Sequence, residues 1–576
     1  MRTRKLLLAG IACLTLGACT TAGAPDVEQA AATVARPAWQ DYVQTTIDQW
    51  FALDPATAVY QGAHQYDGKL PDWSAAGIAK RVAFLRSVVD NAGAYTNLSP
   101  QDALERDHLV SVARGQLFWI VDADRPHRNP GWYIDGGLDP NVYVSREYAD
   151  KPTRMRAMVS FFNAIPQAAT NIRANLQTPL PASFIKLGVA GFGGFAEYYR
   201  GDARAAFADV NDPALQAEFK AASEKAATAM AELAAWLQTQ QTSASQAYAL
   251  GPDLFARMLK ETELVDISID ELEAIGRADL KRNQEALKVA CARYAPGKTI
   301  PQCFDKLNAD KPAESPVVTA TKQIPDLTAF VREQDLVTIP GTQQALVRES
   351  PPYNRQNSAY IDPPGPFEKG IPSIYYISPP DPAWPLQKQR DYIPGKNDLL
   401  FTSIHEVMPG HFLQFLHSNR APSWVSRIFV GYAYAEGWAH YAEEMMWEAG
   451  YGNGDPGVHV GQLSNALLRN CRFLSAVGLH ARGMTQAQSQ KMFEEQCYQV
   501  EGTAEQQAAR GTYDPAYLNY TLGKLMILKL REDWTATRGG KASWKEFHDT
   551  FLGFGGAPIP LIRQVMMQEP EPRAVF

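Results

Sequence analysis

The segment "HEVMPGH" at residues 405–411 places two histidines and a glutamate where they could bind and use a metal ion. His405 and Glu406 form the dipeptide found in zinc peptidases, but His411 follows after six residues instead of four. On a regular helix, a six-residue step turns the side chain roughly 120° away, whereas a four-residue step leaves it within about 40°. The two imidazoles therefore converge only if the backbone is irregular between them.

Proline and glycine inside the segment can supply that irregularity. Pro409 has no amide hydrogen to donate and clashes with the preceding turn, and Gly410 tolerates backbone angles that other residues avoid. We therefore predict a bulge or kink at this pair that turns His411 back toward His405.

A second helical segment supplies a third candidate ligand. In "YAYAEGWAHYAEE", Glu436, His440 and Glu443 share one helix face by three- and four-residue steps. A carboxylate among apolar residues is costly to bury unless it is paired or bound to a cation. We predict that His405, His411 and Glu436 hold one zinc ion. The alternative is a surface helix whose histidines bind no metal.

Such a ligand set is typical of hydrolases. Zinc in these enzymes takes three protein ligands and keeps a fourth position for water. Glu406 is then the predicted general base on that water. Gln414, one turn beyond His411, and Glu443 are predicted to orient metal ligands, although Glu443 could instead bond to a neighbouring helix.

Two motifs resemble a known bacterial family. "HEVMPGHFLQ" and "EGWAHYAEE" are similar to the H-E-x-x-P-G-H-x-x-Q and E-G-W-A-x-Y-x-E patterns of the domain of unknown function 885 family. The segments 467–480 and 513–532 resemble its later blocks, so the resemblance covers most of the chain. It implies a large helical fold like that of gluzincin metallopeptidases, with His405, His411 and Glu436 as ligands and Glu406 as catalytic base.

The sequence departs from the family pattern at two positions. His440 stands where the family has leucine, and it could be a partner of the metal ligands, a transition-state donor or a packed core histidine. Ala476 stands where an aspartate is expected, so no acidic role can be assigned there, whereas His480 stands in its expected place.

Peptide hydrolysis also needs a donor to the oxyanion and groups that hold the substrate. Tyr520, in "YLNYTLGK", is the first candidate donor and His480 the second, and a core tyrosine is the alternative for Tyr520. Four basic residues are candidate ligands of a peptide's terminal carboxylate, with structural salt bridges as the alternative. They are Arg469, Arg472, Arg510 and Lys524.

The N-terminus has the pattern of an export signal. A basic start and a short apolar run end in "LGAC", which resembles a bacterial lipobox, so residues 1–18 are a predicted signal peptide and Cys19 a predicted lipidation site. The alternative is cleavage near "TTAGA", with Cys19 lost. Thr20 after the cysteine favours the outer membrane, facing the periplasm, with the lipid as the only membrane attachment.

The net charge and the cysteine content limit which partners and which covalent links are expected. The chain has a formal net charge of −7 and no long basic run, which disfavours nucleic acid as a partner. Apart from Cys13 and Cys19 at the N-terminus, four cysteines remain, and in an oxidising periplasm they favour two disulfides, Cys291 with Cys303 and, by elimination, Cys471 with Cys497. Four buried thiols are the alternative.

The remaining sequence predicts a mostly α-helical fold. Residues 19–36 read as a tether and 37–576 as a single domain, with two lobes around a cleft. Residues 350–396 are too rich in proline for helices, and "SIYYIS" within them predicts one short edge strand before the metal-binding helix. An extended peptide could pair with that strand's edge.

These patterns predict a zinc-dependent peptidase of the cell envelope. Two other functions remain open at this point. One is a non-catalytic lipoprotein that binds zinc or a protein partner, and the other is a zinc amidohydrolase that acts on a non-peptide amide.

Overall fold

The computed structural model describes residues 37–351, 355 and 358–576, and within them the protein is mostly α-helical. Cys19, the predicted signal peptide and the predicted tether lie outside the described residues. Fifteen helices precede the proline-rich segment: α1 Trp39–Leu53, α2 Pro55–Tyr60, α3 Ala75–Gly93, α4 Pro100–Leu117, α5 Arg125–Arg128, α6 Gly131–Ile134, α7 Asn141–Ser145, α8 Lys151–Asn175, α9 Ala182–Arg200, α10 Asp202–Ala206, α11 Pro213–Thr239, α12 Pro252–Glu263, α13 Ile269–Tyr294, α14 Ile300–Ala309 and α15 Pro316–Glu333.

Three short strands and eleven further helices complete the described chain. The strands are β1 Leu346–Glu349, β2 Ala359–Asp362 and β3 Ile374–Ile377. The helices are α16 Leu386–Tyr392, α17 Lys396–Glu406, α18 His411–Ser418, α19 Trp424–Ile428, α20 Tyr432–Glu448, α21 Pro456–Ala481, α22 Gln486–Cys497, α23 Glu501–Tyr513, α24 Asn519–Thr535, α25 Trp544–Gly553 and α26 Ile559–Met567. None of the described helices is both long enough and apolar enough to cross a bilayer.

Local sequence signals account for where several helices begin. The Ser99 hydroxyl accepts the Asp102 amide hydrogen ahead of α4, and Pro100 occupies the first turn, where its missing amide hydrogen costs nothing. Asp212 caps α11 in the same way by accepting the Leu215 amide hydrogen. These caps satisfy amides that have no partner inside the helix.

The apolar side chains of the described residues form three clusters. One lies among α1, α3 and α4, and a second lies among α8, α9 and α11. The largest joins α13, α17, α20, α21 and α24 with the small sheet, and it surrounds the "HEVMPGH" segment. A cleft between two lobes and a single domain over residues 37–576 stay predictions.

The prediction of a strand within "SIYYIS" was right, but the prediction that this strand, β3, lies at an edge of the sheet was wrong. β3 is the central strand of a three-stranded sheet, parallel to β1 and antiparallel to β2. All four of its residues are buried. Prolines flank the "SIYYIS" segment but none lies inside it, so its amides can join ladders on both sides. With both edges paired, β3 offers no free edge to a peptide.

Both predicted disulfides are present. Cys291–Cys303 joins the end of α13 to α14, with Cα atoms 5.8 Å apart, and Cys471–Cys497 joins α21 to the end of α22, with Cα atoms 6.3 Å apart. These separations are usual for disulfides. The alternative of four buried thiols is therefore wrong.

A buried ion-pair network holds the helices behind the "HEVMPGH" segment together. The Lys524 ammonium, wholly buried on α24, lies 3.0 Å from the Asp279 carboxylate on α13 and 3.2 Å from the Glu444 carboxylate on α20. Arg282 pairs with both carboxylates from the surface side. Removing one partner would leave the remaining buried charges only partly compensated, which is more costly than losing an exposed pair.

Replacing Glu444 by glutamine is expected to destabilise the fold by about 3 kcal/mol at pH 7, because Lys524 loses a buried partner. Burial alone would raise the pKa of Glu444, but Lys524 and Arg282 outweigh it and lower that pKa to about 2. The stabilisation is therefore present above the ordinary carboxyl pKa and is lost as the pH falls toward 2. Urea unfolding of wild type and variant between pH 7 and pH 3.5 should show the two curves converging. Asp266→Asn, in an exposed pair with Lys260, should leave stability unchanged at every pH.

Candidate metal centre

The backbone between the two histidines is broken more completely than the sequence predicts. Instead of one kinked helix, α17 ends at Glu406 and α18 begins at His411. The Gly410 amide donates to the Ile404 carbonyl at 3.0 Å, which folds the four-residue connection back on α17. The Trp438 indole N–H donates to the Pro409 carbonyl at 2.9 Å and joins this connection to α20.

Gly410 is required here by a close approach of backbone to backbone. A Cβ atom at this position would lie 1.9 Å from the His405 carbonyl oxygen. No residue with a side chain fits without moving one of the two segments. The glycine therefore sets how closely His411 can return to His405.

The break brings three ligand atoms together. Nε2 of His405 and Nε2 of His411 each lie 3.3 Å from Oε2 of Glu436, and all three atoms lie within 4.8 Å of one another. Ligand atoms bound about 2.0–2.2 Å from a tetrahedral ion lie roughly 3.3–3.6 Å apart. The spacing therefore suits a metal ion of the size of zinc.

The bonding of Glu436 also fits a cation. Its Oε2 atom is buried and accepts no hydrogen bond from the described groups, although two ring nitrogens lie close by. Burial would raise the pKa of Glu436, but His411 and His405 outweigh it and hold that pKa well below its usual range. The group is thus a partly buried carboxylate anion whose Oε2 atom is enclosed and has no hydrogen-bond donor, which is the state a metal ligand needs.

Glu443 and Arg469 hold the first ligand in place. Nδ1 of His405 lies 2.7 Å from Oε1 of Glu443, which leaves Nε2 facing Glu436 and His411. The Arg469 guanidinium lies 3.0 Å from the same carboxylate oxygen. Burial acts to raise the pKa of Glu443, but the charge of Arg469 and the hydrogen bond with His405 outweigh it and keep that pKa well below its usual range. An ionised carboxylate behind a ligand imidazole fixes its tautomer and orientation.

His440 contacts the site through Glu443 and not directly. It is wholly buried, and its Nδ1 lies 3.4 Å from Oε2 of Glu443. Burial and then the charge of Lys524 lower its pKa to about 4, so the ring is neutral at pH 7. The structure therefore places His440 as a partner of Glu443.

A match to a family model identifies the chain. The model, described as a bacterial protein of unknown function (DUF885), matches residues 55–566. The chain belongs to the DUF885 family. The comparison with curated proteins found no significant match.

Two solved structures resemble this DUF885 protein over nearly its whole length. One, from Shewanella oneidensis, is assigned as a lipoprotein of unknown function; it has 25% sequence identity and a TM-score of 0.76, and the match covers 92% of this chain and 100% of that chain. The other, from Colwellia psychrerythraea, is assigned as a lipoprotein; it has 18% identity and a TM-score of 0.77, and the match covers 92% and 98%. At 18% identity, the second likeness shows the fold alone.

Tyr520 of this DUF885 protein lies beside the ligands because two helices cross closely. A Cβ atom on Gly437 would lie 2.5 Å from the Gly523 Cα, and one on Gly523 would lie 2.0 Å from the Ala433 carbonyl oxygen. The crossing of α20 and α24 places the Tyr520 ring nearly parallel to His405, with ring centroids 6.2 Å apart. Burial, followed by the negative charge of Glu436, raises the pKa of Tyr520, so its hydroxyl keeps its proton at neutral pH.

The predicted carboxylate-binding residues separate into different environments. Arg469 is paired with Glu443, and Arg510 is paired with Asp514 at 2.9 Å while its other contact is the Tyr432 hydroxyl. Arg472 lies over the Tyr520 ring, 4.8 Å from its centroid. Only Arg472, among these, has no carboxylate partner in the described part of the chain.

Three sequence predictions need correction. Lys524 is wholly buried between Asp279 and Glu444, so it is part of the structural network and not available to a substrate. His480 is buried with Nε2 on the Gly511 carbonyl and Nδ1 accepting the Leu250 amide, so it has no proton left for an oxyanion.

Gln414 is the third correction. Its side-chain amide donates to the Ser418 hydroxyl at 2.6 Å, one turn farther along α18, and not to a metal ligand. In the same short helix, the Nδ1 atom of His411 has no hydrogen-bond partner among the described residues. The second ligand is therefore held by its backbone position and not by a carboxylate behind it.

Two residues that shape the site escaped the sequence analysis. Trp438 on α20 donates to the Pro409 carbonyl and so fixes the connection between the two histidines. Gly523 on α24 allows this helix to cross α20 closely. Trp438 belongs to the E-G-W-A pattern and could have been singled out there. Gly523 carries no such signal, because a close crossing becomes visible only when the second helix is in place.

Replacing Gly410 by alanine is expected to lower both stability and zinc content, because the new methyl group collides with the His405 carbonyl. A backbone shift at this point would move His411 away from Glu436. Thermal unfolding and metal analysis of the purified protein measure the two effects. Gly194→Ala on α9 is the matched control, since nothing lies within 4 Å of its Cβ position; it should raise stability by about 0.5–1 kcal/mol and leave zinc content unchanged.

Proposed function

We propose that this DUF885 protein is a zinc-dependent peptidase of the bacterial cell envelope. The observation that carries the proposal is the convergence of two imidazoles and one carboxylate at metal-ligand spacing, with Glu406 next to the first ligand. Two histidines and a glutamate form one of the usual ligand sets of catalytic zinc, and they leave a position for water. His405, His411 and Glu436 would hold the ion.

Zinc at this site would act as a Lewis acid toward the scissile carbonyl and lower the pKa of a bound water toward about 7. Glu406 lies at the end of α17, largely buried, directly after His405. From there its carboxylate takes a proton from the attacking water and passes it to the leaving amine. Glu443 keeps His405 oriented throughout, because its carboxylate holds the Nδ1 proton.

Tyr520 is the proposed donor to the oxyanion. Its ring packs beside His405, and its hydroxyl is protonated at neutral pH. A neutral phenol in a largely buried site can donate a hydrogen bond to the negative oxygen that develops as the carbonyl is attacked. His480 is not a second donor, since both of its nitrogens are occupied.

The proposed location is the periplasmic face of the outer membrane, with acyl chains on Cys19 as the anchor. The proposal rests on the lipobox-like "LGAC" and on Thr20 after it. Two structures of the same fold are assigned as lipoproteins, and no described helix could cross a membrane. A peptidase held there would meet peptides of the envelope.

Replacing Glu406 by glutamine is expected to abolish cleavage of a mixed peptide library while zinc stays bound. The loss should be at least about 100-fold, because an amide cannot accept the proton of the attacking water. Metal analysis and mass spectrometry of the products measure the two properties. His411→Ala is the contrasting variant and should lose the metal as well as the activity.

Three outcomes would contradict the proposal. Wild-type protein without stoichiometric zinc would remove the metal from the mechanism. Unchanged cleavage by Glu406→Gln would remove the general base, and zinc binding without any cleavage by wild type would leave a metal-binding lipoprotein.

Replacing Tyr520 by phenylalanine is expected to lower kcat by about 100- to 1000-fold with little change in KM, because the hydroxyl acts on charge that develops only in the transition state. Steady-state kinetics on one defined peptide separate the two constants. Tyr432→Phe is the matched control, since that ring also lies near Tyr520 but its hydroxyl contacts Arg510. An equal loss in both variants would indicate a packing effect.

A further inference from the structure

Arg472 differs from the other buried arginines of the described chain in what it bonds to. Four of them pair with carboxylates: Arg146, Arg469, Arg531 and Arg563. Arg154 has no carboxylate but donates to three backbone carbonyls. Arg472 makes a single hydrogen bond, from Nε to the Gln507 side-chain oxygen at 2.8 Å.

The terminal nitrogens of Arg472 are therefore unused. Arg472 is 9% exposed, and its two terminal nitrogens are not fully enclosed by the protein. They therefore keep a small contact with solvent. Burial lowers the pKa of Arg472, and the positive charges of Arg510 and Arg469 act in the same direction. A guanidinium held by its Nε atom, with both terminal nitrogens free of protein partners among the described residues, can bind an anion.

The position of Arg472 connects it to the metal centre. Its guanidinium carbon lies 4.8 Å from the centroid of the Tyr520 ring, and that ring lies 6.2 Å from the His405 ring. The guanidinium is thus no farther from the first metal ligand than these two distances together. A peptide advances at most about 3.6 Å per residue, so an extended chain covers the span between Arg472 and His405 with about three residues or fewer.

We propose that Arg472 binds the free terminal carboxylate of the substrate, so that this protein removes one to three residues from the carboxyl terminus of peptides. Arg469 and Arg510 do not share this role, because each already has a carboxylate partner. Gln507 holds the guanidinium in place through Nε and leaves both terminal nitrogens for a forked pair with the carboxylate. This assignment rests on the proposed peptidase function and specifies its substrate.

The test compares three peptides of one sequence with the zinc-loaded full-length protein. The first ends in a free carboxylate, the second in an amide, and the third in an amide preceded by glutamate. Wild type should cleave the first with a kcat/KM about 10- to 100-fold above the second, since a charge-assisted pair is lost in the amide. Mass spectrometry should locate the cut one to three residues from the carboxyl end.

Arg472→Gln should erase the preference for the acid through a higher KM, and Arg472→Lys should retain part of it, because lysine keeps the charge but not the fork. Arg277→Gln, an exposed arginine on α13, is the control and should keep the full preference. Circular dichroism and thermal unfolding verify that each variant is folded. Calorimetry with the Glu406→Gln protein supplies a readout without turnover, in which the acid should bind about 10- to 100-fold tighter than the amide.

The outcomes separate the two proposals. Equal cleavage of acid and amide, or a preference that survives in Arg472→Gln, would overturn the role of Arg472 and leave the peptidase intact. If the glutamate peptide is cleaved with the same kcat/KM as the acid, and both exceed the plain amide, Arg472 recognises a side-chain carboxylate. That result would overturn the assignment to the terminal carboxylate. No cleavage of any peptide by the zinc-loaded wild type would overturn the peptidase function itself.

Discussion

The site depends on a carboxylate that is placed between two imidazoles in a largely buried position. Oxygen Oε2 of Glu436 has no hydrogen-bond donor, yet it lies 3.3 Å from a nitrogen of His405 and of His411. Such an arrangement is costly unless positive charge compensates it. Without a metal ion, His405 supplies part of that positive charge. Burial and Arg469 act to lower the pKa of His405, but Glu436 and Glu443 outweigh them and raise it to about 9. A metal ion would take the place of the proton that carries this charge.

Close backbone approaches provide the room for this arrangement. Gly410 lets α18 begin directly against the end of α17, and Gly437 with Gly523 lets α20 and α24 cross at short range. Each glycine lies next to, or three residues from, a side chain of the site. The absence of a Cβ atom at these points therefore decides how far His411 and Tyr520 lie from the other groups.

The basic residues around the site differ in how their charges are paired. Behind the ligands, Lys524 is enclosed by Asp279 and Glu444, and Arg469 by its pair with Glu443. Beside Tyr520, Arg472 has a side-chain amide as its partner and no carboxylate among the described residues. Residues with the same charge thus differ in how much hydrogen-bonding capacity they have left, because their pairing differs and not their residue type.

The sequence by itself determined the helical class, the caps of helices such as α4, both disulfides and the three candidate ligands, because local spacing and residue chemistry carry that information. It did not determine that α17 and α18 are separate helices, that β3 is a central strand, or that His480 and Gln414 are occupied by other partners. It also could not distinguish Arg472 from Lys524. Those properties depend on which groups from distant segments pack together, and burial and pairing are set only when the tertiary structure is complete.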